Sequence, residues 1–394
     1  MPIMLIKKTL KEIIFRLLGL MIIPLWRDNK KDIDKTKIKK ILVFEGGGIG
    51  DLLRVLPAIK AFHDNFPKAK KSLVASPNSH EVLKLFPYKS IISEIIDYNP
   101  NGMHRSFIKK IFLVKKLREK GFDLIYSPAR GQGLRELIIM SFLIGAPYRI
   151  GFTEGRIGLL NNIRLDFDGC TSILQQNLSL LEMSNIKVRD KNIGLEIPGS
   201  EKEFINKMFD RNLSKPVIAI HPGVSCYGEY RSWPLFKFIE LVKLLLKNYN
   251  ASVILLGGKE DVFLGNEIIR CIESPAVISL IGKTSISQMA AVIKHSNLFI
   301  GNDSGPLHIA IALKTPSVAI FGSTLAEQVL SSMDFCVVVR KELPCSPCYT
   351  HMSNFEQNCK DIRCLNEITV SDVMDGVKRM LAVNAKQVEI QKNN

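Results

Sequence analysis

From Ile41 onward, short apolar runs alternate with longer stretches in which apolar residues recur every three or four positions. The short runs predict buried strands, and the longer stretches predict amphipathic helices. Such alternation is typical of parallel sheets that are covered by helices. In the first half of the chain, the pattern predicts the strands KILVFEG, SLVASP, EIIDYN, FDLIYSP and YRIGF, separated by helical stretches such as SFIKKIFLVKKLREKG and LRELIIMSFLIGA.

The second half repeats this pattern more regularly. Its predicted strands are VIAIHPG, SVILLGG, VISLIG, LFIGND, SVAIFGS and CVVVR, with helices at 234–248, 263–273, 285–296 and 305–314. Since 394 residues are too many for one ordinary core, we expect two doubly wound α/β domains that point the carboxyl ends of their strands at a common cleft. The expected bounds are 39–197 and 216–383 for the domains, 198–215 for a polar linker and 384–394 for a tail.

Residues 1–38 form a basic, amphipathic segment ahead of the first domain, in a chain whose net charge is +16. The longest uncharged run, Leu17 to Trp26, is far shorter than the roughly 20 residues of a spanning helix. No small-residue cleavage site follows it, so a signal peptide is not expected. The segment predicts a helix lying on an anionic membrane surface, or else a helix packed on its own domain or a partner. Nucleic acid is not an expected partner, because no recognition motif accompanies the basic residues.

A glycine-rich loop with an aspartate follows the first predicted strand, in the stretch VFEGGGIGDLLRVL. Gly47, Gly48 and Gly50 do not fit the G-x-G-x-x-G dinucleotide pattern, and no Gly-Lys-Ser/Thr follows as in a Walker loop. Glycines allow a sharp turn and the close approach of a ligand. Asp51 either caps the next helix or, at the mouth of a cleft, serves as a general base.

The stretch GNDSGPLHIAIAL is the most specific motif of the second half. A strand ends at Asp303, and Ser304 and Gly305 open a helix whose free N–H groups and dipole would favour a phosphate. Ser304 could donate its hydroxyl, and His308, one turn into the helix, could donate to a phosphate or leaving oxygen. The alternative is that Asp303 or Ser304 caps the helix while His308 packs, and both interpretations can hold together.

Two further turns follow strands of the same predicted domain. In HPGVSCYGEYRSWPLFKF, Arg231 precedes a helix and could reach a diphosphate from a second side. In LLGGKEDVFLGNEI, Glu260 or Asp261 could accept hydrogen bonds from ribose hydroxyls. His221 follows a strand and is interpreted as a packed or hydrogen-bonded residue rather than a catalyst. Three such turns in one domain predict a pocket for a nucleotide diphosphate.

The chain resembles glycosyltransferase family 9, the lipopolysaccharide heptosyltransferase family, from residue 40 to about residue 383. The resemblance rests on the segments ILVFEGGGIGDLLRVLPAIKAF, GAPYRIGF, HPG with RSWPLFKF, LLGGKED, IGKTSISQMAAVIKHSNLFIGNDSGPLHIAIAL, VAIFGST and the spaced cysteines that begin with CSPCY. It implies a GT-B fold of two facing Rossmann-like domains, with the acceptor mostly in the first and the nucleotide-sugar donor mostly in the second.

The resemblance also implies a reaction and its residues. The expected reaction is inverting transfer of a heptose or related sugar from an ADP-sugar to a lipid-linked glycan, without a cofactor or a metal at the reacting centre. Asp51 would be the general base. Arg231, Asp303, Ser304, Gly305 and His308 would bind the donor. The expected location is the cytoplasmic face of the inner membrane.

Some positions depart from the family pattern or lie outside it. Glu45 stands where a basic residue is common after the first strand, and Ser127 stands where an aspartate is common, so the identity of the acceptor stays open. Four cysteines near the C-terminus have a spacing that would also suit a structural zinc, although the resemblance implies none. They are Cys345, Cys348, Cys359 and Cys364.

Two other functions compete with the transferase. A sugar-nucleotide epimerase would share the two-domain layout but needs no lipid-linked acceptor, and the basic amphipathic start argues against it. A non-catalytic relative could bind a nucleotide sugar, but the presence of Asp51 beside the phosphate-binding motifs disfavours it. A nicotinamide dehydrogenase is poorly supported, because the glycine spacing is wrong.

Overall fold

The computed structural model describes residues 32–392 except 101, 129–133, 154, 169–170, 210–212, 225–227, 350–358 and 360. Most of the amphipathic segment predicted at residues 1–38 lies outside the described residues, so its membrane role stays a prediction. Among the helices of these ranges, none combines the length and the apolar character that a bilayer crossing requires. The described chain divides into two compact units, 32–79 with 88–191, and 80–87 with 192–392.

The first unit is built on a six-stranded parallel sheet with the order β3-β2-β1-β4-β5-β6. Its strands are β1 (Lys40–Phe44), β2 (Lys70–Ala75), β3 (Ile92–Asp97), β4 (Leu124–Ser127), β5 (Tyr148–Thr153) and β6 (Ile163–Asp166). Its helices are α1 (Ile49–Leu53), α2 (Leu56–Asn65), α3 (Pro77–His80), α4 (Phe107–Glu119), α5 (Leu134–Ile144) and α6 (Ile173–Met183). In the central register, Leu42 of β1 pairs with Ser72 of β2 and Ile125 of β4.

The second unit has a parallel sheet with the order β12-β11-β10-β7-β8-β9. Its strands are β7 (Val217–His221), β8 (Ser252–Leu255), β9 (Val277–Ser279), β10 (Leu298–Asn302), β11 (Ser317–Ile320) and β12 (Cys336–Val339). Its helices are α7 (Lys202–Phe209), α8 (Leu235–Tyr249), α9 (Val262–Ile272), α10 (Ile286–His295), α11 (Gly305–Ala312), α12 (Ala326–Val329), α13 (Arg363–Asn366) and α14 (Val370–Lys392). Ile218 of β7 pairs with Val253 of β8 and Leu298 of β10.

The central strands of both sheets are largely continuous apolar runs, as expected of parallel strands that are buried on both faces. Strands β7 and β10 are buried along their whole length, and the core of the second unit gathers Ile218, Trp233, Phe238 and Ile300. Segment 198–215, predicted as a linker, contains helix α7, which packs on α10. Residues 80–87 belong to the second unit, where the Glu81 carboxylate accepts a hydrogen bond from the Ile286 N–H at 3.3 Å.

The two sheets have the same strand order when each is counted from its own first strand. In each, the order reverses beside the first and fourth strands, which are β1 with β4 in the first unit and β7 with β10 in the second. Open α/β sheets bind ligands beyond the carboxyl ends of the strands at such a switch point. The predicted class of two doubly wound α/β domains is confirmed, and the candidate residues lie on the loops that follow these strands.

Candidate active site

In the first unit, Asp51 lies in the first turn of α1, immediately after the glycine loop. Its Oδ2 accepts a hydrogen bond from the Gly48 N–H at 3.0 Å, and its Oδ1 accepts one from Arg54 Nη2 at 2.5 Å. The Asp51 side chain is 38% exposed, while that of Arg54 is only 5% exposed. Asp51 is therefore both a capping residue and an accessible carboxylate whose orientation is fixed by two donors.

The glycines make room for this carboxylate. A Cβ atom at Gly47 would collide with the Asp51 side chain, whereas one at Gly48 would lie 3.9 Å from Oδ2, an ordinary contact. Gly48 has an extended backbone, with φ −82° and ψ −171°, and Gly50 is buried in α1. The requirement at Gly47 is thus one of space rather than of a left-handed backbone.

Glu45 and Ser127, which depart from the pattern of the family that the chain resembles, are both buried. Glu45 follows β1 directly, and its Oε1 accepts a hydrogen bond from the Gly47 N–H at 2.8 Å. This contact makes Glu45 part of the loop's own support. Ser127 is buried at the end of β4, the strand beside β1. Both residues therefore lie at the switch point of the first sheet.

In the second unit, Asp303 follows β10 and lies between two basic side chains. Arg231 Nη1 is 3.4 Å from Asp303 Oδ2, and His308 Nε2 is 3.6 Å from Asp303 Oδ1. The Asp303 side chain is buried, while that of Arg231 keeps a partly exposed surface. The structure therefore brings together three of the predicted donor-binding residues.

The charges in this group stabilise one another. Burial alone would raise the pKa of Asp303, but the contact with His308 and the charge of Arg231 outweigh it and hold the pKa below its ordinary value. Burial alone would lower the pKa of Arg231, but Asp303 and Tyr230 outweigh it and raise that pKa. Asp303 is therefore ionised and holds a guanidinium that can face an anion.

Ser304 is the N-cap residue of α11, and its side chain makes no capping hydrogen bond. Instead, its Oγ donates to the Asn302 carbonyl at 3.2 Å and lies 3.0 Å from His221 Nδ1. In the first turn of α11, Pro306 has no N–H, and the N–H groups of Leu307 and His308 donate to the Ser304 carbonyl. The Gly305 N–H is therefore the donor of this turn that a ligand could use.

His221, at the end of β7, also approaches Asp261, with 3.4 Å between His221 Nε2 and Asp261 Oδ2. Because a carboxylate accepts, His221 Nε2 is the ring nitrogen that donates to Asp261, and His221 Nδ1 faces the Ser304 hydroxyl. This buried chain of Asp261, His221 and Ser304 links the turns after β7, β8 and β10. The sequence interpretation of His221 as a packed or hydrogen-bonded residue agrees with these contacts, but the role of Asp261 as its partner was missed.

The two acidic residues considered for the ribose have different surroundings. Asp261 is buried, and its Oδ2 also accepts a hydrogen bond from the Gly258 N–H at 2.9 Å. Glu260 is exposed on the same turn. Because Glu260 is the exposed member of the pair, it is the one that a ligand could contact. The prediction that an acidic residue of this turn accepts hydrogen bonds from a ribose therefore applies to Glu260 and not to Asp261.

The C-terminal cysteines are free thiols in this structure. Cys364 is buried, and burial raises its pKa to about 11, with the neighbouring Cys348, Cys359 and Cys345 adding to the shift. Within the described ranges, no group of three or more His, Cys, Asp or Glu side chains is arranged to hold a metal ion. The alternative of a structural zinc stays a prediction.

The two doubly wound domains are those of the GT-B fold class, with an exposed carboxylate at a helix start in one and a cationic group at a switch point in the other. Solved structures agree on the fold. The structure of Escherichia coli ADP-heptose lps heptosyltransferase II aligns with a TM-score of 0.66 at 21% identity, covering 88% of this chain and 99% of that one. Escherichia coli heptosyltransferase WaaC with ADP-2-deoxy-2-fluoro heptose aligns at 0.63 and 15% identity, covering 86% and 99%.

The chain belongs to glycosyltransferase family 9 (heptosyltransferase), whose family model matches residues 111–358. Among its relatives, lipopolysaccharide heptosyltransferase 2 of Escherichia coli K12 is 26% identical over 295 residues, covering 72% of this chain and 82% of that protein. Lipooligosaccharide heptosyltransferase 2 of Campylobacter jejuni serotype O:2 is 24% identical over 347 residues, covering 87% and 98%. The resemblance drawn from the motifs is confirmed, and membership of a transferase family supports the transferase over the epimerase.

Proposed function

We propose that this enzyme transfers a heptose from ADP-heptose to a sugar of the lipopolysaccharide or lipooligosaccharide inner core, with inversion at the anomeric carbon. The names of the relatives support the acceptor class, and the ADP-heptose analogue in a structural neighbour's description supports the donor. The acceptor is anchored in lipid, so the enzyme works at a membrane surface, which we take to be the cytoplasmic face of the inner membrane.

The observation that carries the proposal is the environment of Asp51. This carboxylate is accessible, and Gly48 and Arg54 hold it in one orientation. A general base must be presented in this way to a hydroxyl that approaches from solvent. In the proposed step, Asp51 takes the proton of the acceptor hydroxyl while that oxygen bonds to the anomeric carbon. The bond from this carbon to the diphosphate oxygen breaks, and ADP leaves with the electron pair.

The second unit would stabilise the negative charge that develops on the leaving diphosphate. Arg231 and His308 are the cationic and hydrogen-bonding groups at its switch point, and the start of α11 adds the Gly305 N–H and a favourable dipole. Asp303 would repel a phosphate directly, so we assign it the role of positioning Arg231 and His308. Ser304 is oriented by His221 in the same way. Glu260 would accept from the ribose.

An assay with purified enzyme, ADP-heptose and heptose-deficient lipopolysaccharide tests this function. Release of ADP should accompany a heptose-sized mass increase of the acceptor, and NMR of the product should show the anomeric configuration opposite to that of the donor. Epimerisation of the donor without transfer would favour the rival enzyme class. Transfer with retained configuration would exclude Asp51 as the base of a single displacement.

A further inference from the structure

Helix α4 of the first unit presents a large apolar surface to solvent. Phe107 is 76% exposed, Ile108 64%, Ile111 50% and Phe112 66%. These four residues, which we call the outer face of α4, lie within the first one and a half turns of one helix. Adjacent apolar side chains with this exposure indicate an interaction surface rather than chance surface residues.

The exposure does not arise from an undocked helix. Leu113 and Leu117, on the opposite side of α4, are buried in the core of the first unit. Lys110 forms an ion pair of 2.5 Å with Glu136, which also accepts a hydrogen bond from the Tyr98 hydroxyl at 2.6 Å. The helix is therefore fixed through its inner face, and its outer face is left for another partner.

Exposed basic residues lie beside the outer face and beyond it along the helix. Lys115, Lys116 and Arg118 occupy the second half of α4, Lys109 lies beside the phenylalanines, and all four are exposed. Glu119 is the one acidic residue of the helix. The apolar groups thus lie at the first end of the helix, and the positive charges lie mainly at the other.

We propose that the outer face of α4 binds an anionic lipid bilayer, with Phe107 and Phe112 entering the acyl boundary and the lysines contacting headgroup phosphates. Apolar side chains beside clustered lysines are the combination by which helices bind a membrane surface. A second copy of the chain is a poorer partner, because two such faces would bring their lysines together. The choice of a membrane rests on the lipid-linked acceptor of the proposed function.

A matched surface is available on the second unit. Phe263 of α9 is 69% exposed, about as much as Phe107, but Glu260 and Glu267 lie nearby in sequence in place of a lysine cluster. Substitution of Phe263 therefore reports how much an exposed phenylalanine by itself contributes to membrane binding, apart from the outer face of α4.

Flotation of the full-length chain with vesicles tests the proposal. Burial of one exposed phenylalanine strengthens binding by roughly tenfold. The double variant Phe107→Ser/Phe112→Ser should therefore lose at least about tenfold in partitioning to vesicles of equal phosphatidylglycerol and phosphatidylcholine, and Phe263→Ser should lose little. Binding of the unchanged chain to these vesicles should weaken as the salt concentration rises. It should also be weaker for vesicles that contain phosphatidylcholine alone.

A second measurement reports on α4 itself, whatever residues 1–38 contribute. Phe107→Trp in a Trp26→Phe background adds one exposed indole, while Trp233 is buried. Lipids brominated on the acyl chains should quench the new indole, and Phe263→Trp in the same background should not be quenched. Absence of quenching at residue 107 while the chain floats would overturn the proposal, as would a dimer abolished by the double serine variant.

The outcome is separable from that of the catalytic proposal. Neither vesicle measurement requires turnover, and ADP release with a detergent-dispersed acceptor should be the same for the double serine variant as for the unchanged chain. A chain that binds vesicles through α4 but transfers no sugar would contradict the proposed function and leave the membrane proposal intact.

Discussion

Two turns of the same construction occur in the two domains, and each ends in an aspartate. Gly48 precedes α1 with φ −82° and ψ −171°, and Gly258 precedes the turn before α9 with φ −80° and ψ −177°. The third residue after each glycine, Asp51 or Asp261, accepts a hydrogen bond from that glycine's N–H, at 3.0 Å and 2.9 Å respectively. Local sequence therefore produces one capping arrangement in both places.

The surroundings of the two carboxylates differ. Asp51 is 38% exposed, whereas Asp261 is 7% exposed and close to His221. A Cβ atom at Gly223 or Gly257 would collide with Asp261, so its neighbours enclose it on two sides. One arrangement thus presents a group that can exchange a proton with a substrate, and the other uses the same group to hold a buried network. The cap is common to both, and solvent access distinguishes the candidate base.

The largest effect should come from Asp51→Asn. The amide keeps the shape of the side chain but cannot take a proton at neutral pH, so kcat should fall by about 10²–10⁴-fold. Donor affinity, measured by titration with ADP-heptose, should be nearly unchanged, because the residues that we propose to bind the donor lie in the second unit. A kcat within about tenfold of the original enzyme would remove Asp51 from the role of base.

Gly47→Ala should have the next largest effect. The added methyl group would collide with the Asp51 carboxylate and displace it, and displacement of a catalytic group by about 1 Å lowers turnover by roughly 10²-fold. Gly48→Ala is the matched control, because its methyl group would make an ordinary contact and its backbone is extended. Equal kcat values for the two variants would contradict the crowding seen at Gly47.

Asp261→Ala should act on stability. It removes the acceptor of the half-buried Gly258 N–H and of a buried ring nitrogen of His221, at a cost of about 2–3 kcal/mol. The Tm should fall by roughly 4–10 °C in a thermal melt. Glu260→Ala, at the exposed neighbouring position, should change stability by less than about 0.5 kcal/mol. Equal Tm values for the Asp261→Ala and Glu260→Ala variants would mean that Asp261 lacks the structural role that its burial indicates.

How much of this the sequence could predict depends on whether the relevant signal is local. The strands around both switch points are apolar runs that end in glycine or a polar turn, and the Asp51 turn is contained in a few adjacent residues. Strand β6 was missed because IRLD is short and mostly half-exposed at a sheet edge. Helix α7 was missed because its polar residues resemble a linker, although Ile205 and Met208 are buried.

The network in the second unit was beyond prediction for a different reason. His221 and Ser304 are 83 residues apart in sequence, and only the parallel pairing of β7 with β10 brings them together. Burial, which separates Asp261 from Glu260, is likewise a property of the packed unit. The sequence alone does not show which of two adjacent acidic residues is buried.

The smallest predicted effect concerns pH and the third carboxylate, Asp303. Because its pKa is lower in the folded chain than in the unfolded one, the folded state binds this proton less readily. Its contribution to stability is complete above the unfolded pKa of about 4 and is lost as pH falls through the folded value. The Tm difference between the original chain and Asp303→Asn should therefore be constant from about pH 7 to 5 and shrink below about pH 4. A difference that grows on acidification would mean that Asp303 is protonated in the fold, and Arg231 would then lack the charged partner that we assign to it.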